Sequence, residues 1–114
     1  MSFEIVGRVL VAVPDEPRLD ASISTAFKSQ IVDWINKGRA HIVLDLSRVD
    51  FIDSSGLGVM ISVLKSTEKR GGLAICCVHD SVMSLFEITR TNRVFPIFDT
   101  REQALKHLNS QPGP

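Results

Sequence analysis

Residues 42–58 read IVLDLSRVDFIDSSGLG, and this stretch decides the fold class of the chain. The apolar run at residues 42–46 has almost no polar interruption, which is typical of a strand covered on both faces in a partly parallel sheet. A short connection follows, and a helix is expected to begin near Ser54 and to run to about Lys69, before a Gly-Gly pair. A buried strand followed so closely by a helix predicts an α/β layer structure.

Apolar runs alternate with helical patterns on both sides of this stretch. Before it, we expect two strands at residues 3–6 and 9–13 joined by a Gly7-Arg8 hairpin turn, a polar loop at 14–18, and a helix capped by Asp20 or Ser22 that ends at Gly38. After it, we expect a strand at 73–78, a helix capped by Asp80 or Ser81, an edge strand at 94–98 containing Pro96, and a helix opened by Thr100.

The resulting order β-β-α-β-α-β-α-β-α predicts one mixed sheet. It should have about five strands with a largely parallel core, together with about four helices and right-handed crossovers. The length of 114 residues suits a single domain. We place that domain at residues 1–110 and expect a flexible tail at residues 111–114.

Composition and charge narrow the class of partner. Thirteen Lys and Arg residues balance thirteen Asp and Glu residues, so the formal net charge is zero. Nucleic acid and anionic membrane surfaces are therefore not expected partners, because both require clustered excess positive charge. No apolar run approaches the roughly 20 residues of a membrane helix.

The expected compartment is the cytoplasm. An acid at Glu4 stands where a signal peptide would be basic, and no long apolar segment follows it. The two cysteines, Cys76 and Cys77, are neighbours in an apolar strand, so we interpret them as buried thiols in a reducing environment rather than as a disulfide or a redox pair.

The residues Asp53, Ser54, Ser55 and Gly56 form the candidate site. They lie where a strand of an α/β sheet has ended and a helix begins, and such positions gather ligands and partners. Two hydroxyls in a first helical turn face unpaired N–H groups, and the small Gly56 should leave them open to another protein. The same residues also form a good helix cap, which needs no function.

An enzyme is not indicated by the remaining residues. The histidines His41, His79 and His107 show no metal-ligand spacing, and no P-loop or Gly-x-Ser-x-Gly motif is present. We therefore expect no catalytic residues, no cofactor and no bound metal. One alternative stays open, a small Mg²⁺-dependent, receiver-like protein with Asp53 as phosphoacceptor and an acidic cluster of Asp45, Asp50 and Asp53.

Helical periodicity predicts which side of the central helix packs on the sheet. Its buried side should comprise Leu57, Met60, Ile61 and Leu64. Val59 and Val63 fall roughly opposite, and we expect them to form a small exposed apolar patch beside Ser54 that a partner could cover.

Residues 51–58, after the strand at 42–46, resemble the signature of STAS domains. The resemblance is to bacterial anti-sigma factor antagonists in particular, whose motif reads Asp-Ser-(Ser/Thr)-Gly-Leu-Gly. Leu19-Asp20-Ala21 matches the family's Leu-Asp motif, Gly71-Gly72-Leu73 precedes the next strand, and residues 82–89 match the following helix. The loop at 14–18 departs from the family pattern, because PDEPR replaces a short Gly-containing turn.

The resemblance implies a switch between partners. The unmodified protein would bind a GHKL-type anti-sigma factor that is also a serine kinase, and so release a sigma factor. The kinase would phosphorylate Ser54, with Ser55 as the alternative acceptor, and a PP2C-like phosphatase would reverse the modification. The free protein is expected to be a monomer. The expected partner-binding residues are Asp20, Asp53, Ser54, Ser55, Gly56, Leu57, Val59 and Val63.

The same resemblance leaves a second function open. A STAS domain can instead be a subunit of a transport complex, in which no phosphorylation is needed.

Overall fold

The computed structural model describes residues 1–110, and the predicted tail at 111–114 lies outside the described residues. Along the described chain the elements are β1 (Ser2–Val6), β2 (Val9–Val13), β3 (Arg18–Leu19), α1 (Ser24–Asn36), β4 (His41–Asp45), β5 (Phe51–Ile52), α2 (Ser54–Thr67), β6 (Gly72–Cys76), α3 (Asp80–Thr89), a 3₁₀ turn (Thr91–Arg93), β7 (Ile97–Phe98) and α4 (Arg101–Asn109).

The main sheet has five strands in the order β1-β2-β4-β6-β7. Strand β1 is antiparallel to β2, and the other neighbours pair in parallel. The predicted mixed sheet with a parallel core and four helices is therefore confirmed. Strand β7 lies at the edge, as Pro96 predicted, although it is only two residues long.

Both faces of the sheet are covered, as the apolar run at residues 42–46 predicted. Side chains alternate along β4, so that Ile42 and Leu44 join a core with α1, α2 and α3, whereas Val43 joins a smaller core with α4. No helix within residues 1–110 has both the length and the apolar character that a membrane span requires.

The predicted hairpin between β1 and β2 is present. Val6 pairs with Val9, and Gly7 between them has φ +63°, which is the left-handed conformation that such a tight turn requires. The sheet therefore begins with a local turn that the sequence encodes directly.

The helix ends differ from the prediction in two places. Helix α1 begins at Ser24 without a side-chain cap, because the carboxylate of Asp20 instead accepts a hydrogen bond from the Ser22 amide at 3.0 Å. Helix α3 also lacks the expected cap, since the Ser81 hydroxyl donates to the Asp50 carbonyl oxygen at 2.9 Å. The expected start of α4 is confirmed, with Thr100 in a capping box.

A second, two-stranded sheet was not predicted. In it β3 pairs in parallel with β5, with Arg18 opposite Phe51 and Leu19 opposite Ile52. Each strand has two residues, which is too short for a periodic signal, and the pairing joins segments more than 30 residues apart. This small sheet fixes the end of the loop at 14–18 beside the candidate site.

Candidate functional site

Asp53 caps helix α2 and ties it to a second loop. Its Oδ1 accepts hydrogen bonds from the amides of Ser55 at 2.9 Å and Gly56 at 3.0 Å. Its Oδ2 accepts from the Ala21 amide at 3.1 Å. The helix thus begins at Ser54 as predicted. The carboxylate of Asp53 joins this helix start to the segment that contains Leu19-Asp20-Ala21.

Gly56 lies against the backbone of β3. The Asp53 amide donates to the Leu19 carbonyl oxygen at 3.2 Å, and a Cβ at Gly56 would lie 2.2 Å from that same oxygen. The expectation that Gly56 keeps the hydroxyls open to another protein is therefore wrong, because Gly56 is itself buried. It is small so that β3 can approach the first turn of α2.

Ser54 is the accessible hydroxyl of the pair. It is exposed as the first residue of α2, and within residues 1–110 its side chain takes part in no hydrogen bond. Ser55 is half-buried. Ser54 is therefore accessible to solvent while the helix that carries it stays folded.

The expected apolar patch of Val59 and Val63 is not on the surface. These side chains are 8% and 5% exposed, and they belong to the main core. Of the predicted buried side, Leu57 and Met60 are buried, whereas Ile61 and Leu64 are only half-buried. Helix α2 packs against α1 as well as the sheet, so its buried side is turned toward Val59 and Val63. Leu57, at 8% exposed, is also buried, as its phase predicted, and hence is not available as a contact residue in the folded protein.

The three carboxylates proposed as a Mg²⁺ cluster do not come together. Among residues 1–110 the one group of three potential metal ligands joins Asp45 with two thiols, Cys76 and Cys77, and it contains neither Asp50 nor Asp53. Asp53 is engaged by three backbone amides. The geometry therefore gives a receiver-like reaction at Asp53 no support.

Asp45 is instead an ionic anchor for the last helix. Its Oδ2 accepts from Nε and Nη2 of Arg101 at 3.0 and 2.8 Å, and its Oδ1 accepts from the Ser47 amide at 2.9 Å. Burial raises the pKa of Asp45, but the hydrogen bonds from Ser47 and Arg101 outweigh it, and the pKa lies below its ordinary value. The ionised carboxylate is thus the form that stabilises the fold.

We expect Asp45 to contribute to acid sensitivity. A carboxyl whose pKa is depressed by folding stabilises the protein above the unfolded value of about 3.9, and this stability is lost as the pH falls through the folded pKa. Urea unfolding should show Asp45→Asn to be less stable than the parent at pH 7, by about 1.5–3 kcal/mol. The difference should shrink at pH 3. The exposed Asp33→Asn is the control, and a difference that did not change with pH would contradict this role.

The cysteines and histidines take structural positions. Cys76 is buried in β6 as expected, whereas Cys77 lies just beyond the strand and is only half-buried, so the prediction of a second buried strand thiol is wrong. Burial raises the pKa of both thiols. His79 lies within 2.6 Å of the Ser47 carbonyl oxygen, and the ring of His107 packs on Phe98. His41 is half-buried at the start of β4, and no group of three potential metal ligands within residues 1–110 includes a histidine.

One feature of the site is a stack of Arg18 on Phe51, which was not predicted from the sequence. The guanidinium carbon of Arg18 lies 3.9 Å from the centre of the Phe51 ring, and its Nε lies 3.5 Å from Oδ2 of Asp20. The pairing of β3 with β5 brings these residues together. The signals available in the sequence are an aromatic residue inside the motif and an arginine directly before Leu19-Asp20.

Comparison with known proteins found a matching family model and several similar proteins. A family model described as the STAS domain matches residues 1–104. The chain is 35% identical over 104 residues to the anti-sigma F factor antagonist of Paenibacillus polymyxa, an alignment that covers 90% of this chain and 87% of that protein. It is also similar to the crystal structure of TM1081 from Thermotoga maritima, with 32% identity, a TM-score of 0.88 and coverage of 95% and 93% of the two chains.

The fold is shared with a more distant protein. The Bacillus cell fate determinant SpoIIAA in its phosphorylated form gives a TM-score of 0.72 at 22% identity, with 93% of this chain and 96% of that chain covered. At this level of identity the likeness concerns the fold alone.

Proposed function

The chain belongs to the STAS domain family, and from this premise we propose that it is an anti-sigma factor antagonist whose partner binding is controlled by phosphorylation of Ser54. The observation that carries the proposal is the exposed Ser54 hydroxyl at the start of α2, directly after the fixed cap residue Asp53. The relative from Paenibacillus polymyxa, which bears the name of an anti-sigma factor antagonist, supports the same assignment.

The charge of a phosphate explains how one modification could end binding. A phosphoserine carries about −1.5 to −2 charges at pH 7, which a helix N-terminus tolerates, so the fold should survive. A partner packed over Ser54 would however have to desolvate this charge close to the carboxylates of Asp53 and Asp20. A loss of ~3 kcal/mol reduces affinity more than a hundredfold, which is enough for a switch.

The proposed partners follow from the family. In its unphosphorylated form the protein binds a GHKL-type anti-sigma factor with serine kinase activity, and this frees the sigma factor. A PP2C-like phosphatase restores the unphosphorylated form. The protein is proposed to act as a cytoplasmic monomer that accepts phosphate and has no catalytic role of its own. Nucleic acid and membranes are not among its proposed partners.

Phosphate transfer to Ser54 is the test. The protein is incubated with ATP and, in turn, each purified anti-sigma serine kinase encoded by its source organism, and the modified residue is mapped by mass spectrometry. We expect about one phosphate per chain at Ser54. Ser54→Ala should abolish labelling, whereas Ser55→Ala should retain most of it. Calorimetric titration should then show that the phosphorylated protein binds the kinase more than a hundredfold more weakly.

Other outcomes would point to the alternatives. Label that persisted in Ser54→Ala and vanished in Ser55→Ala would move the acceptor by one residue. Label that was removed by hydroxylamine would indicate an aspartyl phosphate and a receiver-like protein. If none of these kinases labels or binds the protein, the proposal is contradicted and a transport-complex subunit is favoured.

A further inference from the structure

We propose that Arg18 and Phe51 form a docking surface that receives a carboxylate side chain of the protein partner. This inference rests on the function proposed above and names the chemistry of the partner at the same site. The Arg18–Phe51 surface takes the place of the Val59 and Val63 patch, which is buried. It lies on the small β3–β5 sheet, whose chain continues directly into Asp53 and Ser54.

Both members of the surface are accessible. The Arg18 side chain is 57% exposed, and Phe51 is 38% exposed, which makes Phe51 one of the few large apolar side chains at the surface of residues 1–110. Aromatic residues and arginines are the types most enriched among residues that dominate binding energy at protein interfaces. The Arg18–Phe51 surface thus has the composition of an interface centre rather than of an ordinary solvated loop.

Arg18 is also held in place before any partner arrives. Its guanidinium stacks on the Phe51 ring at 3.9 Å, and its Nε faces Asp20 at 3.5 Å. Its two terminal nitrogens make no hydrogen bond or ion pair within residues 1–110. Those nitrogens have the fork geometry that binds a carboxylate with two parallel hydrogen bonds. A stacked guanidinium loses less conformational entropy on binding than a free side chain.

The direction of the proposed switch selects an acidic partner group over a basic one. Ser54 lies three positions after Phe51, which is roughly 10 Å of extended chain and comparable to the Debye length of about 8 Å at physiological salt. A phosphate on Ser54 would therefore repel a carboxylate docked on Arg18. A basic partner group there would instead be attracted, and phosphorylation would then strengthen binding.

Charge reversal at Arg18 tests the inference. The probe is the purified kinase that labels Ser54, titrated calorimetrically without ATP into the parent, Arg18→Ala, Arg18→Glu and Arg70→Glu. Arg70 is a matched control because it is also exposed but follows the far end of α2, a 14-residue helix about 20 Å long. We expect Arg18→Glu to weaken binding more than tenfold and Arg18→Ala three- to tenfold. Arg70→Glu should stay within twofold of the parent.

The outcomes separate this inference from the function on which it rests. A parent that neither binds nor is labelled by any of the kinases contradicts the proposed function. If the parent binds the kinase and Arg18→Glu binds it with the same affinity as Arg70→Glu, only the Arg18–Phe51 surface is contradicted. Tighter binding by Arg18→Glu would mean a basic partner group and would overturn the inference. The inference would also be overturned if Arg18→Glu changed self-association, measured by sedimentation, and left kinase binding unaltered, because a second copy would then be the occupant.

Thermal melts confirm that each variant is folded. If Arg18→Glu does not fold, Phe51→Leu provides a second variant, which is expected to weaken binding at least threefold.

Discussion

Replacing Gly56 with alanine is expected to destabilise the protein by about 2–3 kcal/mol, the cost of forcing a methyl group into a closely packed site. The added Cβ would lie 2.2 Å from the Leu19 carbonyl oxygen and 3.0 Å from the Leu19 Cβ. Neither atom can move far, because Leu19 is buried and its strand is paired with β5. Equilibrium unfolding in urea would measure the loss.

Gly58→Ala is the matched control for this prediction. Gly58 lies one residue beyond Leu57 in the same helix, and a Cβ there meets nothing within 4 Å. Alanine is the better helix former, so this change should stabilise the protein by up to about 1 kcal/mol. The two substitutions add the same methyl group and are expected to differ in sign. Equal effects would show that β3 does not press on α2 as described.

Introducing a carboxylate at Val63 is expected to cost more than about 3 kcal/mol and to leave the protein largely unfolded at ambient temperature. Val63 is 5% exposed within the main core, and no basic side chain is among the residues of that core. The expected result of Val63→Asp is a large drop in the urea midpoint, or loss of the cooperative transition altogether. Val59→Asp should behave in the same way.

Ser66→Asp provides the comparison on the same helix. Ser66 is exposed, and its hydroxyl donates only to the Ser62 carbonyl oxygen, four residues earlier. An aspartate there remains solvated, and its effect should stay within about 0.5 kcal/mol. If Val63→Asp were as stable as Ser66→Asp, the valines would be surface residues, and the originally expected patch beside Ser54 would have to be reconsidered.

The segments that form the site are joined by hydrogen bonds and by one stacking contact. Asp53 joins the start of α2 to Ala21 through its carboxylate and to Leu19 through its amide. Arg18, one residue before Leu19, is stacked on Phe51 from the opposite strand. The proposed phosphate acceptor and the proposed docking surface are thus held on adjoining, hydrogen-bonded segments. In the proposed function, a phosphate on Ser54 would therefore act on a partner at Arg18 through charge, without a change in conformation.

The sequence by itself determined the main sheet and the place of the site. The apolar strand at residues 42–46, the Gly7 turn and the cap residue Asp53 are local signals, because each depends on neighbours within a few positions. Alternation of strands and helices then limits the topology to a few right-handed arrangements. The start of α2 at Ser54 follows from the same local rules, whereas the choice of Ser54 over Ser55 as the phosphate acceptor rests on the resemblance to STAS domains.

Only the tertiary structure decided which surfaces remain open. Periodicity places Val59 and Val63 on the wrong side because it assumes one packing partner, whereas α2 is buried by both the sheet and α1. Gly56 was interpreted as an opening for a partner, but it is the contact point of β3, a strand too short to predict. The Arg18–Phe51 stack joins residues 33 positions apart in sequence. Burial and pairing at such distances depend on how separate elements meet, and that information is not present in any single stretch of the chain.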